Sequence, residues 1–312
     1  MGKRKKGNPL NGWLILDKPL GLTSTQALGK ARRILDAQKA GHAGTLDPLA
    51  TGILPLAFGE ATKTIPFVQD AEKVYRFRVK WGEATNTDDT EGEVIETSDH
   101  RPSKEDILNL LPSYTGIIQQ IPPQFSAIKV DGQRAYALAR KGEDVEIQSR
   151  KVTIYTLDLI EINEDSAVFE CECAKGTYVR SLARDMGRDL GCFGHITELR
   201  RLAVGFFDES EAISLDELQK MVHDAPPEEA LLPVEAPLDD IPALYLTESE
   251  ANRLRHGQSV VLFSKDGQNR LNAAGLDPHS DNGTVLARTE AKPVALVELN
   301  GVEVKPVRVL NV

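Results

Sequence analysis

Apolar and polar positions along the chain fall into short blocks whose period changes. Trp13 to Leu16 is an apolar run of strand length, and Asp17 to Gly21 has turn composition. Ser24 or Thr25 can cap a helix to about Ala37, with Ala27, Ala31, Ile34 and Leu35 on its apolar side. Lys30, Arg32 and Arg33 occupy the other side, suited either to a solvated face or to phosphate contacts. Between Lys73 and Trp81 the period is two: Tyr75, Phe77, Val79 and Trp81 share one face of a strand, and Arg76, Arg78 and Lys80 the other. Ser103 with Asp106 starts a helix through Leu111.

Further on, an Asp131-Gly132 turn separates a short strand from a helix bearing Arg134, Arg140 and Lys141, a basic projection. The strand that begins at Ala167 leads into KGTYVRSLARDMGRDLG, where Thr177 reads as an N-cap, Leu182 and Met186 share a helix face, and Gly191 stops the helix. Arg180 then sits in the first turn, where a cation opposes the helix dipole and calls for a carboxylate partner. Ser214 with Glu217 caps another helix, and Asp224 to Pro242 is an acidic, Pro-rich linker with no helical period. It divides the chain into residues 1–238 and 242–312. The second part predicts a helix over Thr247 to His256, strands over Val260 to Phe263, Val285 to Arg288 and Val294 to Leu299, an Asn300-Gly301 turn and a last strand to Leu310. That pattern suits a small β-barrel.

Composition narrows the class. The 312 residues can bury a large core, and no run of about 18 apolar residues is present to span a membrane. The N-terminal MGKRKKGNPLNGW is basic without a following apolar stretch, and Lys6 breaks the myristoylation pattern, so the expectation is a cytosolic protein. Three cysteines make no disulfide framework; Cys171 and Cys173 alternate with Glu170 and Glu172 and share a face with Phe169, as buried thiols do. The net charge of -10 is uneven. Residues 1–80 hold 14 Lys+Arg against 6 Asp+Glu, whereas residues 208–250 hold 1 against 13. Outside that acidic segment the chain is net basic, which is compatible with a surface that faces RNA.

Candidate chemistry concentrates in Gly41 to Lys63, GHAGTLDPLATGILPLAFGEATK. Its glycines and prolines shape a functional loop around one carboxylate, Asp47, whose nearest charged neighbours in sequence are Lys39 and Glu60. The counter-charge must come from elsewhere in the chain.

Gly41 to Lys63, Tyr75, the Pro122 to Gly142 segment with its PPQFSAIK, Lys175-Gly-Thr-Tyr-Val-Arg180 and Leu199-Arg-Arg-Leu resemble, in order, the bacterial TruB-type tRNA pseudouridine-55 synthases. The resemblance runs from about Asn11 to the C-terminus. It implies an α+β pseudouridine synthase fold: a mixed, largely antiparallel central sheet flanked by helices and loops, an RNA-contacting insertion over 121–151, and a C-terminal PUA-like RNA-binding β-barrel. It makes Asp47 the catalytic carboxylate, Arg180 its ion-pair partner, Tyr75 the stacking surface for the target base, Tyr178 a nearby wall and Leu199 an apolar wall. His42 matches the histidine that assists flipping of loop nucleotides, Lys18 with Pro19 the pair that supports the site, and Asp89 an acidic position after the Tyr75 strand. Phe206 stands where the family often has proline, and Ser264 to Asn282 reads as an insertion.

The implied reaction is isomerisation of uridine-55 in the T-arm stem-loop of tRNA, by a monomer with no cofactor, metal, membrane or obligate protein partner. Residue types agree: the reaction needs an ionised carboxylate and an aromatic face, and no phosphate-binding or dinucleotide motif is present. An alternative is a tRNA-folding chaperone that uses the same cleft without chemistry. A phosphoryl-transfer enzyme would need magnesium-binding carboxylates, for which only Asp17 and the Asn86 to Glu91 run are available.

Overall fold

The computed structural model describes residues 7–126, 128–130, 133–134, 147–277 and 281–312. The first sheet is built from β1 (Gly12–Lys18), β2 (Ala40–His42), β3 (Ala50–Phe58), β4 (Lys73–Trp81), β7 (Gly116–Gln120), β10 (Arg150–Ile162), β11 (Ser166–Cys173) and β12 (Gly194–Val204). Their order is β1-β3-β12-β4-β11-β10-β7, with β2 also on β3. The β3–β12 pair is parallel and the other pairs are antiparallel, giving the mixed, largely antiparallel sheet expected. Two small hairpins, β5 (Glu83–Thr85) with β6 (Val94–Thr97) and β8 (Lys129–Val130) with β9 (Gln133–Arg134), stand outside it.

β1 and β3 are apolar at nearly every position because both of their faces are covered. Leu14, Leu16, Leu54, Leu56 and Phe58 pack into the main core, together with Ala27 and Ala31 of α1 (Ser24–Ile34). Trp13, Ile15, Ile53 and Ala57 face a second cluster that contains Phe207, Val234, Leu238, Leu286, Leu296 and Leu310. The alternation read in β4 is present, with Phe77, Val79 and Trp81 buried, and Cys171 and Cys173 are buried free thiols on β11.

Several local expectations are corrected. The stretch Gly41 to Lys63 is a loop only between β2 and β3; the rest is strand and a turn of 3-10 helix. Pro55 fits in β3 because its carbonyl, and hence its nitrogen, faces the side where pairing with β12 ends at Gly52 and pairing with β2 begins at Leu56. The missing N–H therefore removes no ladder bond. α1 is capped by Thr23 rather than Ser24 or Thr25, through a capping box with Gln26, and it ends at Ile34. α2 (Ile65–Asp70) and α3 (Lys104–Leu110) follow, the latter capped by Ser103 and Asp106 as read. In α4 (Val179–Asp189) the N-cap is Tyr178, not Thr177, and no side chain of its own caps the helix. Arg134 lies in β9 rather than in a helix; Asp131, Gly132, Arg140 and Lys141 lie outside the described residues.

After α5 (Leu215–Asp224), capped by Ser214 and Glu217, the acidic segment is strapped to the edge of β1 instead of spanning open solvent. Trp13 and Leu232 exchange backbone hydrogen bonds at 2.9 and 2.7 Å, and Trp13 Nε1 donates to the Val234 carbonyl at 3.3 Å. β13 (Ala243–Tyr245), β14 (Val260–Val261), β15 (Asp281–Arg288), β16 (Pro293–Asn300) and β17 (Glu303–Val309) then form a curled PUA-like sheet in the order β13-β15-β16-β17-β14. α6 (Glu248–Arg255) and α7 (Lys265–Ala273) help to cover its core with Leu254 and Leu271. The polar stretch after Phe263 thus supplies a helix, capped by Ser264. The chain's end is hooked to the first sheet: Lys63 Nζ donates to the Val309 carbonyl at 2.6 Å and the Asn311 amide to Glu60 Oε2 at 2.8 Å.

Candidate active site

Asp47 sits in the loop between β2 and β3, and the fold supplies the cation that its own segment lacks. Arg180 Nε lies 2.9 Å from Asp47 Oδ2, a charge contact whose N–H is not aligned as a hydrogen bond. The exposure is lopsided: the Arg180 side chain is 6% exposed and that of Asp47 39%. The cation is therefore held within the protein while the carboxylate is presented at the surface. Arg180 is further fixed by donating from Nη1 to the Thr87 carbonyl and from Nη2 to the Phe125 carbonyl, both at 2.9 Å. Asp89, buried, places Oδ2 3.3 Å from Nη1 and is held by Thr87 Oγ1 at 2.5 Å and the Glu91 amide at 3.0 Å. Two carboxylates thus answer the cation that opposes the helix dipole.

Lys18 is fully buried at the end of β1 and donates to the carbonyls of Leu22 at 2.7 Å, Pro19 at 3.0 Å and Pro48 at 3.5 Å. The last contact reaches the residue after Asp47. Burial lowers the Lys18 pKa to about 8, against the opposing pull of Asp47. Ser24 completes the hold, since its hydroxyl accepts from the Leu46 amide at 2.7 Å and donates to the Leu46 carbonyl at 3.0 Å.

Tyr75 is half-buried on β4, and burial is the largest cause of its raised pKa; Arg201 and Asp47 also act on its hydroxyl. Leu199 is buried on β12, with Phe77 of β4 and Ala50 of β3 as its strand partners. Tyr178, at the start of α4, carries the Arg150 guanidinium over its ring at 5.0 Å. His42 has a buried Nδ1 without a hydrogen-bond partner among the described residues, and burial, then Arg201, lowers its pKa, which keeps the ring neutral at pH 7. Asp47, Arg180, Asp89, Tyr75 and Lys18 are thus linked by contact or by charge, His42 is linked to Tyr75 through Arg201, and Leu199 and Tyr178 lie on the elements that frame them.

Three features escaped the sequence reading. Gln120 brackets the start of α4: its Oε1 accepts from the Tyr178 amide at 2.8 Å and its Nε2 donates to the Tyr178 carbonyl at 3.1 Å. Arg184 meets Asp88 at 3.1 Å, and burial raises the Asp88 pKa to about 6 despite that cation. Arg201 is buried beside Tyr75. Its parity with Leu199 in Leu199-Arg-Arg-Leu was the available signal, since alternate strand residues share a face. Three of the carboxylates considered for magnesium are engaged by arginines: Asp17 by both Nη atoms of Arg200 at 3.0 Å, Asp88 by Arg184 and Asp89 by Arg180.

Comparison with known proteins gives a consistent picture. Two family models match, one described as TruB family pseudouridylate synthase (N terminal domain) over residues 32–179, the other as tRNA pseudouridylate synthase B C-terminal domain over residues 180–239. The chain is 52% identical over 314 residues to tRNA pseudouridine synthase B of Rhodopseudomonas palustris, covering 99% of this chain and 83% of that protein. It is 50% identical over 312 residues to the protein of the same name from Caulobacter vibrioides, covering 100% and 99%. Among solved structures, a Cbf5-Nop10-Gar1 complex contains a chain with a TM-score of 0.73 at 24% identity, covering 96% of this chain and 84% of that one. An H/ACA RNP bound to a substrate RNA containing 2'-deoxyuridine has one with a TM-score of 0.71 at 22% identity, covering 99% and 91%. These two show the fold alone. The full-length relatives and both family models place the chain in the TruB family of pseudouridylate synthases.

Proposed function

We propose that this chain is a tRNA pseudouridine synthase that isomerises uridine-55 in the T-arm stem-loop, with Asp47 as the catalytic carboxylate. The observation that carries the reading is the Asp47–Arg180 ion pair at 2.9 Å. The isomerisation breaks the bond from the sugar C1′ to N1 and forms one from C1′ to C5; the C5 proton is lost and N1 gains one, so atoms balance without a redox partner. Either covalent attack by the carboxylate on the sugar or removal of a sugar proton requires the ionised form. Arg180 supplies the counter-charge to that form at 2.9 Å. Tyr75 offers the flipped base a face to stack on, offsetting part of the few kcal/mol of unstacking. His42, Tyr178 and Leu199 shape the pocket, while Lys18 and Asp89 hold its charged parts in place.

In this reading residues 1–238 form the catalytic domain with an RNA-contacting insertion over 121–151, residues 242–312 form an RNA-binding domain, and one copy in the cytoplasm serves one tRNA. The test is incubation with unmodified tRNA, without cofactor, followed by mapping of pseudouridine. Conversion at position 55 is expected; conversion elsewhere, or none, overturns the assignment. Asp47→Asn should retain tRNA binding and lose turnover.

A further inference from the structure

The two arginines of Leu199-Arg-Arg-Leu part company across β12. Arg200 is partly exposed and is neutralised by Asp17 at 3.0 Å and Glu209 at 2.6 Å. Arg201 is 1% exposed, and among the described residues no carboxylate lies within ion-pair distance of it. Its Nε donates to the Ile53 carbonyl at 2.7 Å and its Nη2 to the Gly44 carbonyl at 3.3 Å. In register it stands between Gly52 of β3 and Tyr75 of β4. Gly52 has φ +96, and a Cβ there would lie 2.2 Å from the Arg201 carbonyl oxygen, so the strand before it closes directly onto this residue. A buried, unpaired guanidinium carries a desolvation cost that packing alone does not repay.

We propose that Arg201 is a positioning residue for the isomerisation, a buried cation that fixes the Asp47-bearing loop through Gly44 and sets the electrostatic surroundings of Tyr75 and His42. The inference rests on the functional reading above and extends it to a residue outside the Asp47–Arg180 pair. Gly44 lies three residues before Asp47, its carbonyl accepts from Arg201 Nη2, and its φ of +91 is a conformation that L side chains rarely adopt. The titratable groups facing this charge are Lys18, His42, Lys73 and Tyr75; for each, Arg201 favours the less protonated form. Two cations thus hold this loop from within the protein, Arg201 at the Gly44 carbonyl and Lys18 at the Pro48 carbonyl.

The experiment compares the wild type with Arg201→Met, Arg201→Lys and, as a stability control in the C-terminal core, Leu254→Ala. Single-turnover rate, tRNA affinity, thermal stability and the His42 titration by NMR are measured on the full chain. For Arg201→Met the expected result is a rate lower by about 10- to 100-fold, the range for losing a group that orients a functional ligand, with tRNA affinity within about 3-fold. Arg201→Lys, which keeps the charge but not the fork, should fall between Met and wild type. The His42 pKa should rise in Arg201→Met towards its ordinary 6.5. A rate in Arg201→Met equal to wild type, or reduced no more than in a Leu254→Ala protein of matched stability, overturns the proposal, as does an unmoved His42. Should Arg201→Met not fold, Arg201→Lys decides by the same criteria. An inactive wild type would instead overturn the functional reading, while an unmoved or shifted His42 would still judge the electrostatic role.

Discussion

Arg180 meets Asp47 through Nε at 2.9 Å while its Nη1 stays within 3.3 Å of the buried Asp89. Removing the cation leaves Asp89 buried without a counter-charge and Asp47 without its ion-pair partner. Arg180→Met should therefore cost about 3–5 kcal/mol of stability, the range for leaving one partner of a buried ion pair alone, and should lower the maximal rate because nothing then holds the Asp47 carboxylate in place. Urea denaturation and single-turnover rates check this; unchanged stability would mean that Asp89 finds another partner, and an unchanged rate that Arg180 does not position Asp47.

Gln120 ties the last residue of β7 to both polar groups of Tyr178. Since Tyr178 has no capping side chain of its own, this amide takes over the task at the start of α4. Gln120→Leu orphans the partly buried Tyr178 N–H, while the Tyr178 carbonyl keeps the Leu182 amide, at a cost of about 1–3 kcal/mol. Urea denaturation should show that loss, and the rate should drop as well, because Arg180 lies two residues into the loosened turn. Full activity with reduced stability would separate the cap from the site.

Lys18 gives a pH test with a definite sign. Its folded pKa, about 8, lies below its ordinary 10.5. Between those values the unfolded chain binds more protons at this residue than the native one, so stability attributable to Lys18 rises with pH across that window and is constant below it. Lys73, lowered to about 8 by burial, would contribute the same slope, and comparison with Lys18→Met cancels it. The stability of wild type relative to Lys18→Met, measured by urea denaturation, should grow from pH 8 to pH 10; a flat difference refutes the buried-amine account.

Gly52→Ala should destabilise the fold by more than about 3 kcal/mol, since both the positive φ and the 2.2 Å approach to the Arg201 carbonyl exclude a Cβ. Soluble yield and thermal unfolding report it, and a near-neutral result would show that β3 and β12 can part there.

Legibility in the sequence followed the range of the cause. The two-fold alternation of Tyr75 to Trp81 and the caps at Ser103, Ser214 and Thr247 rest on neighbours within a few residues, and they were readable. β3 was not, because Gly52 and Pro55 signal a loop locally, while their tolerance depends on where β12 stops and β2 starts. Arg180 announced the need for a carboxylate through its helix position, and the resemblance supplied Asp47; a lone Gln120 or a second arginine carries no such signal. The strapping of Asp224 to Pro242 was hidden for the same reason, since its partner, Trp13, is far away in sequence.

The hook at Glu60 and Lys63 has a practical meaning for handling the protein. Both residues lie just after β3, the strand that follows Asp47, and they grip Val309 and Asn311 within a few residues of the chain's last. Leu310, between them, is buried in the cluster that also receives Trp13 and Phe207. A truncation before Val309 therefore unhooks the C-terminal sheet from the far end of β3 and uncovers Trp13 and Phe207, so its first effect is on how the two sheets hold together.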